Sequence, residues 1–202
     1  MTKVYIERGT KRVFACAYDW PGWCRSAKDE AGALEVLADY ADRYRVIAEA
    51  AGLRFPKAAA KLEVVDRVKG DGATDFGVPH KVAPQDNQSV TAAQAKKYVA
   101  IVEATWSVFA DVVAGAPAKL RKGPRGGGRD RDAIAAHVTE AEKAYARKLG
   151  IPKMSDADEL HAAIVDVIRN RPDDVAWPIP YAVRRIAWHV IDHAWEIQDK
   201  SS

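Results

Sequence analysis

The chain has 202 residues, 48% hydrophobic and 29% charged, with a formal net charge of +3; it can bury a core and is not compositionally disordered, and its charge is too slight for a dedicated nucleic-acid binder. Two cysteines, Cys16 and Cys24, are too few for a disulfide framework or a four-thiolate zinc site. No signal-peptide core opens the sequence and no run approaches the roughly 20 apolar residues that span a bilayer, so a cytoplasmic protein that contacts neither membrane nor nucleic acid is expected.

Taken in chain order, Val4 to Glu7 and Arg12 to Tyr18 are rich in β-formers, with a turn at Gly9-Thr10. In the second run Phe14, Cys16 and Tyr18 alternate with Val13, Ala15 and Ala17. Both faces are apolar, as in a central strand. Trp20-Pro21-Gly22-Trp23 breaks it. Ser26 and Asp29 have the spacing of a capping box, which predicts one helix from about Ala27 to Ala51. A further strand is expected near Lys61 to Val68. The order β-β-α-β predicts a small α+β domain over residues 1–85. Within it, Trp20, Trp23, Tyr40 and Tyr44 read as core or interface aromatics. Cys16 reads as a small buried hydrophobe, and Cys24 as structural or a modestly activated thiol beside Arg25 and Lys28. The stretch RVFACAYDWPGWCRSAKDEAGALEVLADYADRY resembles the HicB-like antitoxin fold, in which a strand ends in a Pro-Gly turn before a capped helix. That resemblance implies a partner-binding surface.

Residues 69–89, KGDGATDFGVPHKVAPQDNQS, lose periodicity and read as a linker, with His80 in a solvated loop. Beyond it the three- and four-residue spacing of apolar positions predicts four helices, from about Val90 to Ala114, Asp130 to Leu149, Asp156 to Asn170 and Trp177 to Asp199. Four amphipathic helices with mostly short connections predict an all-α antiparallel four-helix bundle over residues 86–202.

The last helix carries His189 and His193, four residues apart and therefore stacked on one face. A wheel places both on its buried side, and places His137 on the buried side of the second helix. A buried neutral imidazole needs a polar partner. Three converging from two helices point to a divalent metal rather than to packing alone. His161 falls on the edge of the third helix's stripe and stays outside the set. Glu196 lies about 20° from His189 and Glu140 about 60° from His137 on their wheels, so either offers a base or a partner to a ligating histidine. Arg185 and Asp192 flank the same edge of the last helix and read as solvated charges.

The connection KLRKGPRGGGRDRD, Lys119 to Asp132, joins three successive glycines to several cations ahead of a helix N-terminus. Its backbone N–H groups with Arg125 and Arg129 form a candidate anion cradle, the alternative being a mobile basic loop.

His137 in IAAHVTEAEKAYARKLG, with His189 and His193 in RRIAWHVIDHAWEIQDK, resembles the DinB-like superfamily of four-helix metalloproteins. The resemblance implies zinc or nickel on three histidines with open positions. It further implies hydrolysis or transfer on a small-molecule substrate, in some members with a low-molecular-weight thiol. The alternative is a non-catalytic binding or regulatory module that uses the HicB-like portion as a partner surface; on either reading a homodimer is among the candidate partners.

Overall fold

The computed structural model describes residues 1–123 and 126–201. Strands β1 (Thr2–Arg8), β2 (Val13–Ala17), β3 (Cys24–Ala27) and β4 (Leu62–Lys69) form one sheet in the order β3-β2-β1-β4. β1 and β3 run antiparallel to β2, and β4 closes the other side parallel to β1. Both faces of the central strands are buried, as their two-sided apolar pattern requires. Val4, Ile6, Val13, Ala15 and Ala17 face one core cluster, while Tyr5, Phe14 and Cys16 face another.

Two helices, α1 (Glu30–Asp39) and α2 (Ala41–Ala50), stand where one was expected. The chain breaks at Tyr40, whose ring packs on Trp195 and takes the Arg25 guanidinium at 4.3 Å. Those contacts are with distant residues, so the local pattern carries no trace of the break. The expected capping box also resolves differently. Asp29 alone caps α1 through Gly32 N at 2.8 Å, while Ser26 belongs to β3 and accepts from Arg12. The order is therefore β-β-β-α-α-β rather than β-β-α-β.

Cys16 and Cys24 sit directly opposite each other on β2 and β3 and form a disulfide. Cys24 is thus not the free activated thiol considered from its basic neighbours, and two cysteines make a bridge without making a framework.

The segment read as a linker is anchored at several points. It holds a short helix, α3 (Gly72–Phe76), and a 3-10 turn at Pro84–Asn87. Glu7, fully buried on β1, accepts from Thr74 Oγ1 at 2.6 Å, His80 N at 3.2 Å and Lys81 N at 3.0 Å. His80 is no solvated loop residue, since its Nε2 meets Asp71 at 2.7 Å and its carbonyl accepts from Tyr181. A buried carboxylate with three donors satisfied in this way fixes the backbone that surrounds it.

The remaining helices are α4 (Ala92–Gly115), α5 (Arg131–Lys148), α6 (Ala157–Asn170) and α7 (Ile179–Ser201). Their limits lie within two residues of those expected. α4 starts on a reciprocal Thr91–Gln94 cap, and Asp156 caps α6. α4 packs on α7, α6 and α2; α5 packs on α7 and α6. α4 is also long and apolar enough to cross a membrane by length and composition alone, which the search for a long apolar run did not anticipate.

α7 is the hub. Its apolar residues enter every core cluster: Ile179, Ala182, Val183 and Ile186 pack with α4, α5 and α6, and Ala187, Ile191 and Trp195 pack with the inner face of the sheet and α1–α2. Trp188 packs on the outer face with Phe14 and the cysteines, and Ile197 joins Leu120 and Ile134. Most residues of α7 are buried, its charged and polar ones Arg184 and His189 included, because other elements pack around it. The approach is close at Gly22, in the Trp-Pro-Gly-Trp turn, where φ is +92° and an added Cβ would lie 2.6 Å from Ile191 Cδ1. One core therefore runs across residue 85, from the sheet to the last helix.

Candidate metal centre

α5 supplies His137, and α7 supplies His189 and His193 one turn apart. One donor atom from each lies within 4.8 Å of the other two. The rings stand edge to face, with centroids 5.1 Å apart for His137–His189, 5.0 Å for His137–His193 and 4.6 Å for His189–His193. The Nε2 atoms of His137 and His189 are 3.3 Å apart. Two nitrogens on a tetrahedral ion with bonds of about 2.0–2.1 Å are separated by about 3.3 Å. That separation and the all-imidazole donor set fit a divalent ion of the zinc type, with His193 brought within 4.8 Å of the pair.

Burial favours the neutral form of His189 and His137. His189 is 7% exposed, and burial, helped by the neighbouring His193, Arg185 and His137, pushes its pKa down to about 2. Burial also lowers His137, with a contribution from His193. Uncharged imidazoles are the form that ligates, so no proton has to leave these two before a metal arrives.

Glu196 occupies the place its wheel position suggested. Its Oε2 lies 2.7 Å from His193 Nδ1, and Lys200 meets its Oε1. The hydrogen bond from His193, reinforced by Lys200, holds the Glu196 carboxyl down at about 2. An ionised carboxylate at that distance assigns the proton to His193 Nδ1 and turns the Nε2 lone pair toward the triad. Glu196 thus orients a ligand. Glu140 does not join the site, being exposed and paired with Lys143 at 2.8 Å. Asp192 reaches away to Arg25 at 2.7 Å.

Arg125 lies outside the described residues. Arg129 is exposed, and its charge is close enough to lower both His137 and His189. The rest of the loop turns upon itself. Asp130 accepts from Lys119 Nζ, Lys122 Nζ and Leu120 N, and Gly123 N donates to the Gly127 carbonyl at 2.9 Å. Two other cations of the loop, Lys119 and Lys122, are thereby taken by the chain's own carboxylate. His161 stays apart from the triad, stacked on Trp106 at 3.7 Å and bonded to the buried Glu142 at 3.2 Å.

Two features escaped the sequence reading. Arg185 is not a solvated edge charge: its guanidinium lies over the rings of Trp188 at 4.7 Å and Tyr145 at 5.2 Å. Arg184 is buried in an ion pair with Asp86 and bonds Tyr5. Adjacent arginines on a mostly apolar helix were the available signal.

No protein-family model, no curated protein and no solved structure matches this chain.

Proposed function

We propose that His137, His189 and His193 hold a divalent metal, zinc or nickel, in an antiparallel four-helix bundle of the DinB-like kind, and that the centre serves hydrolysis or thiol-linked transfer on a small molecule. The observation that carries this reading is the meeting of three imidazoles from two helices within 4.8 Å. Packing alone gives no reason to press three polar rings together, one buried and two half-buried, with His189 Nδ1 left without a partner among the described residues. Three histidines on one ion leave coordination positions open, the arrangement of catalytic sites, and an ion so held acidifies a water or thiol that reaches it.

The chain's own residues supply the rest. Glu196 fixes the tautomer and ring angle of His193. Trp188 and Tyr145 flank His189 and keep bulk water from it. The N-terminal sheet with α1 and α2 buttresses α7 from the opposite side, through Ile191 and Trp195. A rigid helix so clamped holds its two histidines at fixed separation, which metal selectivity needs.

Titration of the metal-stripped protein with zinc, nickel or cobalt tests the reading directly. One equivalent is expected to bind, and His137→Ala is expected to abolish that stoichiometric binding. A protein that takes up no metal, with a melting midpoint indifferent to added ion, ends the reading.

A further inference from the structure

We propose that a cleft between the first turns of α4 and the C-terminal end of α6 binds the phosphate group of a small organic phosphate, whose body lies in the adjoining cleft beside the start of α7. The site stands apart from the metal centre and does not depend on it.

The starting observation is a set of unpaired cations around one space. The cleft, about 250 Å³, is lined by Ala92, Ala95 and Val99 together with Lys96, Arg169 and Arg171. Its apolar residues come from α4, and no carboxylate borders it. None of the three cations has a hydrogen bond or an ion pair among the described residues. Elsewhere such groups are answered: Lys119 and Lys122 share Asp130, and Arg8 and Arg67 share Glu30. The two helix ends that meet at the cleft do not supply the missing charge. The N-terminus of α4 and the C-terminus of α6 each carry about half a unit charge, of opposite sign, and cancel.

Arg171 adds a second, independent observation. It ends α6 at φ 53° and ψ 54°, and it is the sole non-glycine residue at positive φ among those described. Glycine is the residue that ends a helix in this way without steric cost. An arginine there strains the backbone, and no contact of its side chain within the chain offsets that strain. Strain of this kind is kept where the side chain has a use.

Arg171 also borders the neighbouring cleft, the roomier of the two at about 360 Å³. Pro172, Pro178 and Ile179 give this second space apolar walls, and Asn87, Gln88 and Ser89 give it hydrogen-bonding groups. That size and mixed lining suit the body of a small molecule. Two carboxylates border it: Asp86, which is committed to Arg184, and the exposed Asp173. Three cations against one unpaired carboxylate leave two positive charges. A phosphate monoester, close to a dianion at neutral pH, balances both, whereas a carboxylate balances one. Guanidinium groups also meet phosphate oxygens with paired donors.

The test titrates the isotopically labelled full-length chain with phenyl phosphate, inorganic phosphate and benzoate at neutral pH and constant ionic strength. The backbone amide signals of Ala92 to Val99 and of Arg171 are followed. Phenyl phosphate is expected to shift them, to bind about tenfold or more tightly than benzoate, and to bind more tightly than inorganic phosphate, which leaves the larger cleft unfilled. Arg171→Gly removes the guanidinium and relieves the backbone together. Its melting midpoint should therefore match or exceed that of wild type while phenyl phosphate binds about tenfold or more weakly, the scale of a hydrogen bond to a charged group. Lys96→Gln, at an exposed position, should weaken binding in the same direction. Signals that do not move, benzoate bound as tightly as phenyl phosphate, or unchanged affinity in Arg171→Gly each overturn the proposal. Equal affinity for the two phosphates overturns the place given to the ligand's body. His137→Ala should leave phosphate affinity unchanged; loss of binding in that variant would put the phosphate on the metal and overturn the cleft.

Discussion

Helix α7 carries two buried polar clusters a single turn apart, and they are built on opposite principles. Toward the sheet, Arg184 meets Asp86 through two nitrogens and Tyr5 through a third, and Asp86 also accepts from Ala83 N at 2.7 Å. Nearly every donor there has its acceptor. Toward α5, three imidazoles press together, His189 Nδ1 and Arg185 Nη1 have no partner among the described residues, and burial favours the neutral form of His189. The first cluster locks the segment 80–87 onto the helix. The second is incomplete as a purely structural device, and incompleteness of that kind is what a binding site looks like before its ligand is added.

The sharpest way to break the comparison is at the satisfied cluster. Asp86→Ala strands a buried guanidinium, so denaturant unfolding is expected to show a loss of about 3–5 kcal/mol. A loss near zero would mean that the pair locks nothing. At the triad, Glu196→Gln should leave the metal-free fold nearly as stable but weaken zinc binding about 10- to 100-fold, because His193 loses the carboxylate that orients it; competition with a chromophoric chelator measures this. Equal affinity would reduce Glu196 to a surface partner of Lys200.

A smaller effect concerns pH. In the unfolded chain an imidazole takes a proton near 6.5, whereas folded His189 resists protonation until about 2. Between those values the unfolded state binds more protons, so this contribution is complete above about pH 6.5 and is lost progressively as pH falls. The urea midpoint of the metal-free protein should therefore drop between pH 7 and 5, and His189→Leu should flatten the drop. The smallest expected change is a control far from α7. Arg8, 56% exposed, pairs with Glu30, which also pairs with Arg67, so Arg8→Ala should cost at most about 1 kcal/mol in the same unfolding assay.

The two clusters also differ in how far the sequence exposes them. The histidines are legible because helical periodicity links residues 189 and 193 directly and fixes the buried face on which 137 must lie. α4 to α7 are legible for the same reason, and their caps stand where Thr91 and Asp156 put them. Nothing local announces that Asp86, in a polar Gly- and Pro-containing stretch, finds Arg184 nearly a hundred residues later. The same holds for the break at Tyr40, whose ring packs on the distant Trp195, and for β3, four residues paired with β2. The Cys16–Cys24 bridge becomes visible only with that pairing. Non-local contacts decide each of these cases, and local propensity has no access to them.

The closeness of Gly22 to Ile191, and the place of Ile191 and Trp195 in the same cluster as Val4, Trp23, Leu37 and Tyr44, bear on how the protein is made. As the chain leaves the ribosome the sheet-forming residues emerge first, yet the surface they must bury against appears only with the last helix. The early portion should therefore wait with its aromatic residues, Trp20, Trp23 and Tyr44 among them, incompletely covered, and productive collapse should follow the arrival of α7 rather than precede it. Synthesis slowed before residue 179 is expected to lengthen that exposed interval and to raise the fraction of chains held by chaperones.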